Sequence, residues 1–163
     1  MDSQTQVIVA AEVTQQTNDK QQLVPMIKQV TANAGGNPIA VSADTGYWSE
    51  ANVSDESVAG VDPHIATGRQ KHGEKVATAN GPPPEDATPA EAMAHKLRTE
   101  AGKSIYKMRK AIVEPVFGQI KERRGFRRFS FRGLGNVSLE WKLLCLTGNI
   151  LKLFRSGWLP QTA

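Results

Sequence analysis

A single cysteine, Cys145, occurs in the 163 residues. That excludes an internal disulfide and suits a reducing compartment. The chain does not open with the charged, apolar and small-residue regions of a secretory signal. It also has no long uninterrupted apolar run. Its most hydrophobic region, Leu139 to Phe154, carries Glu140, Lys142, Asn149 and Lys152, so it reads as a core helix and not a membrane span. The three histidines, His64, His72 and His95, have no ligand spacing. There is no Cys/His zinc pattern, phosphate-cradling glycine loop or nucleophile elbow, and no internal repeat. Together these absences indicate a soluble, cytoplasmic protein without a membrane partner.

What is there is uneven in charge. From Lys96 to Arg155 the chain has 15 Lys and Arg against four acids, a net +11; the remainder, five against 12, is −7, giving the overall +4. A basic C-terminal third on an acidic body suggests a phosphate-binding face.

The order of elements indicates an α/β sheet with helices on its faces. Gln6 to Val13 is β-rich and apolar on both alternating sides, as in an interior strand. Asn18, with Gln21 three residues on, marks a helix start; the helix runs through Leu23, Met26, Ile27 and Val30 and closes at Gly35-Gly36-Asn37-Pro38. Ile39 to Ala43 is a short strand ending at Asp44. A carboxylate there stands where α/β sheets place their sites, although a turn or cap residue is the commoner role. Tyr47 to Asn52 begins a helix, and a second short strand is expected at Pro63 to Ala66. Residues 69–87 are polar and rich in Gly and Pro, which reads as a mobile insertion. Thr88-Pro89-Ala90-Glu91 is a capping box opening a helix that is expected to end at Gly102.

Ile105 to Arg124 reads as the central helix. At helical spacing Ile105, Met108, Ile112, Val116 and Ile120 form one apolar stripe. Glu114 lies opposite, with Lys107, Lys110 and Lys121 on its face. A lone acid in a basic strip makes sense if the strip meets a polyanion and the acid holds a metal; a solvated glutamate paired with Lys110 is the plainer account. Pro115 predicts either a kink or a fresh start at Glu114. Then Arg123, Arg124, Arg127, Arg128 and Arg132 alternate with Phe126, Phe129 and Phe131. The arginines suit phosphates, and the aromatics either anchor the loop or stack on unpaired bases. Asn136 or Ser138 is expected to cap a last helix whose Leu139, Leu143, Leu146, Ile150 and Leu153 form a core stripe.

Two stretches carry a resemblance. Ala43-Asp-Thr-Gly-Tyr-Trp-Ser-Glu-Ala-Asn52 resembles the second-aspartate segment of bacterial insertion-sequence DDE transposases. Ile112-Val-Glu-Pro-Val-Phe-Gly-Gln-Ile-Lys121, continuing through Arg124-Gly-Phe-Arg-Arg-Phe129, resembles their glutamate segment. Ile65 to His72 and Glu140 to Asn149 have the same look. The resemblance implies a ribonuclease H-like fold with a mixed sheet, and three carboxylates that bind two divalent metals, Mg²⁺ or Mn²⁺, for phosphodiester cleavage and strand transfer. By it, Asp44 is the second acid, Glu114 the third, and Lys121 a DNA-phosphate contact. DNA, at transposon ends and target, is the implied partner, and the full-length enzyme is open to homodimerisation. Two departures stand out. The family's Tyr and Arg before the glutamate are Lys107 and Lys110 here. The strand bearing the first aspartate has no counterpart, so 1–163 is expected to be a partial catalytic domain, incomplete in its first strand and inactive alone. Asp2 is the candidate remnant of the first acid; Asp19, at a helix start, is a poor substitute. The alternative is a non-enzymatic DNA-binding module using the basic third.

Overall fold

The computed structural model describes residues 1–68 and 77–157. It divides into two compact units, residues 17–109 and residues 1–16 with 110–163.

In the 17–109 unit, α1 (Leu23–Ala34) precedes β1 (Ala40–Ala43), α2 (Glu50–Val53), β2 (Asp62–Ile65) and α3 (Pro89–Arg98), followed by α4 (Glu100–Gly118), whose residues to Arg109 belong here. The start of α1 differs from expectation. Gln22 precedes it with no side-chain cap, and Asn18 Oδ1 accepts from the Lys20 N–H at 3.2 Å instead. Pro25 sits in the first turn, where a missing N–H costs nothing. Gly35 ends the helix at φ +75°, as expected for a left-handed terminator.

β1 and β2 pair in parallel, Ala40 with Asp62 through Ala43 with Ile65, and they are the sheet of the described residues. The chain is therefore mixed α/β, but with a parallel pair rather than a mixed sheet. Between them, Thr45–Tyr47 forms a 3-10 turn and Ser49 caps α2 through the Asn52 N–H at 3.1 Å. Leu23 and Ile27 of α1 pack with Val58, Val61 and Ile65 as the core, flanked by Val41, Tyr47 and Trp48. Burial of these side chains, at roughly 25 cal/mol per Å² of apolar surface, is what holds a two-stranded sheet that is unstable alone. Ile39, expected in the strand, is 89% exposed, although its carbonyl accepts the Asp62 N–H at 2.9 Å.

The expected insertion at 69–87 lies outside the described residues up to 76. From 77 to 87 there is no helix or strand, and Ala79 donates to the Arg98 carbonyl at 3.0 Å. α3 opens with the Thr88–Glu91 capping box as expected. Its end does not match expectation. Thr99 alone separates α3 from α4: its hydroxyl donates to the Lys96 carbonyl at 2.8 Å and accepts from the Gly102 N–H at 3.0 Å. Gly102 thus sits in the first turn of α4. It must be glycine because a Cβ there would lie 2.0 Å from the Lys96 carbonyl oxygen.

In the other unit, α4 continues unbroken through Pro115 to Gly118, then widens into a π turn over Gln119–Arg123. Gly125, at φ +65°, reverses the chain, and the Phe126 N–H returns to the Ile120 carbonyl at 3.1 Å. α5 spans Leu134–Arg155 and starts after Gly133, not at Asn136 or Ser138. Ser138 instead donates to Glu12 at 3.0 Å.

Two further expectations change here. Gln6 to Val13 is neither helix nor strand. Gln6 has φ +57°, a conformation that breaks strand geometry. Two of the segment's residues are tied to α5 side chains: Lys152 donates to the Gln6 carbonyl, and Asn149 bonds both the Ile8 N–H and carbonyl at 2.9 Å, while the Val7 carbonyl accepts from the Asp2 N–H at 2.9 Å. Those same ties orient α5. They turn Trp141, Cys145 and Asn149 inward, so Leu139, Leu143, Leu146, Ile150 and Leu153 are exposed at 38–68% and do not form the expected core stripe. No helix among the described residues is long and apolar enough to cross a membrane.

Candidate nucleic-acid interface

Asp44 follows directly on β1 and is exposed. Its Oδ1 accepts the Gly46 N–H at 3.0 Å, so it is also the cap of the 3-10 turn. Both sequence roles, strand-end carboxylate and turn residue, hold together. Asp19 shares the spot: a Cβ on Gly46 would lie 3.1 Å from Asp44 Oδ1 and 3.4 Å from Asp19 Oδ2. Burial, followed by these two carboxylates, pushes the Tyr47 phenol above its usual range. In sequence Asp19 stands at a helix start, far from Asp44; the tertiary fold brings that helix start to the end of β1.

Asp2 turns back on its own segment. Its Oδ1 accepts from the Thr5 hydroxyl at 2.6 Å, the Thr5 N–H at 2.7 Å and the Gln4 N–H at 3.1 Å. The Thr5 bonds hold its carboxyl below the usual range.

Glu114 is exposed on α4, while Val116 and Ile120 of the opposite stripe are buried. Met108, expected in that stripe, is 42% exposed. Lys107, Lys110 and Lys121 are exposed with Glu114. Among the described residues no cation lies within 4 Å of its carboxylate, so the expected pairing with Lys110 is not made. The carbonyl that Pro115 deprives of its helical partner, that of Ala111, accepts from Gln6 Nε2 at 3.1 Å. That contact lets the helix continue past proline.

The arginine-rich loop is held at several points. Arg124 donates to the Leu144 carbonyl at 2.7 Å and to Thr147. Arg127 pairs with Glu122 at 2.7 Å, both ends two-thirds exposed. Such exposed pairs contribute little to stability. Glu140 accepts the Ser130 N–H at 2.9 Å and the Phe131 N–H at 3.3 Å. Desolvation works against the Glu140 carboxylate, but these N–H groups hold it below its usual range. In the sequence Glu140 interrupts an apolar run and opens a family-like stretch, with nothing to show that it holds the loop. Arg123, Arg128 and Arg132 are exposed, with no ion pair among the described residues.

Residues 59–154 match the transposase DDE domain family. The chain belongs to that family. Its matched region holds α3, α4, α5 and the whole basic loop, with Glu114 and Lys121; Asp44 lies before it. No curated protein matches the chain, and no solved structure matches it. The family's name points to acids acting on DNA through divalent metal. In kind, the exposed oxygens of Asp44 and Asp19 suit a hard cation. In number they fall short, because no three His, Cys, Asp or Glu side chains gather closely enough to share a metal among the described residues.

Proposed function

We propose that this chain acts in DNA transposition, as the DNA-engaging part of a ribonuclease H-like transposase catalytic domain. The observation that carries this reading is the family match across α4, the arginine loop and α5. Lys107, Lys110, Lys121, Arg123, Arg128 and Arg132 present exposed cations to phosphate. Arg124 and Arg127 contribute through the donors left over from Leu144, Thr147 and Glu122. Asp44 and Glu114 would each offer carboxylate oxygens to a hard divalent cation, Mg²⁺ or Mn²⁺. When bound, two such ions supply an activated water or 3′-hydroxyl and stabilise charge on the phosphodiester.

Asp44 and Glu114 would offer two carboxylates where a pair of divalent cations calls for more anionic oxygen. The chain by itself therefore binds transposon-end DNA without cleaving it. The test is strand cleavage and salt-dependent binding on end DNA with Mg²⁺ or Mn²⁺. Binding should weaken steeply with salt, and no cleavage should appear. Robust turnover abolished by both Asp44→Ala and Glu114→Ala would overturn the inactivity. Failure to bind DNA at low salt would overturn the whole reading.

The lack of a three-acid cluster among the described residues favours a second reading, a DNA-binding module with no metal chemistry. Weak Mn²⁺ binding lost in Glu114→Ala supports the first reading. DNA binding that survives Glu114→Ala, falls in Arg128→Ala and occurs without any Mn²⁺ uptake supports the second.

A further inference from the structure

Gln6 has a backbone that a glutamine rarely adopts. Its φ is +57°, and among the described residues it is the one non-glycine with positive φ. Such a conformation persists only where the surroundings over-determine it, and it collects at functional positions. Three bonds hold Gln6 there. Its N–H donates to the Asp2 carbonyl at 3.1 Å, its own carbonyl accepts from Lys152, and its side-chain Nε2 donates to the Ala111 carbonyl at 3.1 Å. The Asp2 N–H donates in turn to the Val7 carbonyl at 2.9 Å, which closes the loop around Gln6.

The carbonyl that this constrained amide reaches gives it a role. Ala111 lies one turn before Pro115 in α4, and Glu114 is the residue that Pro115 biases away from helical geometry. Left alone, such a turn kinks at the residue that bears the carboxylate. Glu114 is exposed and has no ion pair among the described residues, so its placement is set by the backbone beneath it. Water could satisfy the exposed Ala111 carbonyl, but water leaves the turn free to bend. A donor locked by its own bonds does not. We propose that Gln6 is a positioning residue for Glu114: its amide keeps the turn at Pro115 helical and so fixes where the carboxylate stands on α4. The inference rests on the reading of Glu114 as an oxygen ligand for a divalent cation and adds to it that a residue 105 positions from Ala111 sets the aim of that acid.

The experiment uses the full chain, metal-free, with NMR reading the Cα shifts of Glu114 and Val116, which report helical geometry. Gln6→Ala should move both towards coil values. Gln6→Glu, of equal size but without a side-chain donor at neutral pH, should do the same. In a Pro115→Ala background the helical N–H returns, and neither substitution should move them. Thr88→Ala removes the α3 cap and lowers stability by a similar amount. It should leave both shifts in place, which separates positioning from a general loss of stability. Mn²⁺ affinity, read by EPR, should follow the same pattern and weaken about tenfold in Gln6→Ala, the lower end of what losing a supporting partner costs a metal site. Unmoved shifts in folded Gln6→Ala overturn the inference, as do equal shifts in the Pro115→Ala background. Moved shifts with unchanged Mn²⁺ affinity overturn it too, because the acid then does not depend on the turn. Moved shifts in a chain that never binds Mn²⁺ uphold the placement by Gln6 and overturn the metal reading instead. NOE contacts from the Gln6 amide protons to Ala111 and Pro115 in the unaltered chain need no variant; their absence overturns the inference even if every Gln6 substitution fails to fold.

Discussion

Gln6 Nε2 donates to the Ala111 carbonyl at 3.1 Å, the acceptor that Pro115 leaves without its helical N–H. A residue near the start of the chain thereby repairs a defect in the helix that carries Glu114. Gln6→Ala should destabilise the protein by about 1 kcal/mol, the usual worth of such a bond. In a Pro115→Ala background the N–H is restored, and the same substitution should cost nearly nothing. Urea melts of the four-variant cycle measure the difference. Equal costs in both backgrounds would remove the pairing from the account.

Gly102→Ala has an unusual sign. In an ordinary helical position the change gains about 1 kcal/mol. Here the new Cβ meets the Lys96 carbonyl oxygen at 2.0 Å, so the α3–α4 junction must open. A loss on the scale of overpacking, about 1–3 kcal/mol, is expected as a lower melting temperature. A rise would show that the junction is looser than the structure has it.

His64 is 2% exposed, with Nδ1 3.2 Å from the Asp62 carbonyl. Burial first, then the Lys96 ammonium, lower its pKa, against the opposing pull of Asp62. The folded state therefore prefers the neutral ring, and the unfolded state binds the proton more readily. Its contribution to stability is present in full above the unfolded value of about 6.5 and shrinks as pH falls below it. Denaturant melts at pH 7.5 and 5.5 should show this loss, and His64→Gln should flatten it. The Glu140 carboxylate titrates below the ordinary glutamate range, so the arginine loop should come free only in stronger acid.

Among the arginines, structure separates residues that sequence treats alike. Arg124 is bound to the Leu144 carbonyl and Thr147, whereas Arg128 has no ion pair among the described residues. Arg128→Ala should weaken DNA binding and lower its salt slope by about one. Arg124→Ala should mainly lower the melting temperature, with a smaller effect on DNA. The reverse ranking in anisotropy titrations would make Arg124 the larger DNA contact and overturn this division.

Signals written in a few adjacent residues were legible. The Thr88–Glu91 box, the Gly35 terminator, the strand ending at Asp44 and the exposed placement of Glu114 opposite Val116 and Ile120 all follow from local chemistry. The resemblance and the family match agree on the same segment, because the Glu114 helix and arginine loop are one continuous stretch of chain. Illegible features depend on which partner a segment meets. Gln6 to Val13 carries the pattern of a buried strand, but the backbone at Gln6 and Ile8 is claimed by Lys152 and Asn149. The leucines of α5 have core spacing, yet those same polar ties turn them outward. Asp19 precedes a helix in sequence and stands beside Asp44 in space.

The sequence by itself determined the Thr88 cap of α3 and the Gly35 end of α1, the two short strands, the basic third and the family. Those rest on local hydrogen bonds, periodicity and residue identity, which need no distant partner. Only the tertiary structure decided that Gln6 completes the helix at Ala111, that Gly102 joins two helices into close contact, and that the rings of Phe117, Phe126, Phe129 and Trp141 meet. Gln6 and Ala111 are 105 positions apart, and even Lys96 and Gly102 meet only because one residue joins two helices; such meetings are set by packing and by the need of every buried polar group for a partner.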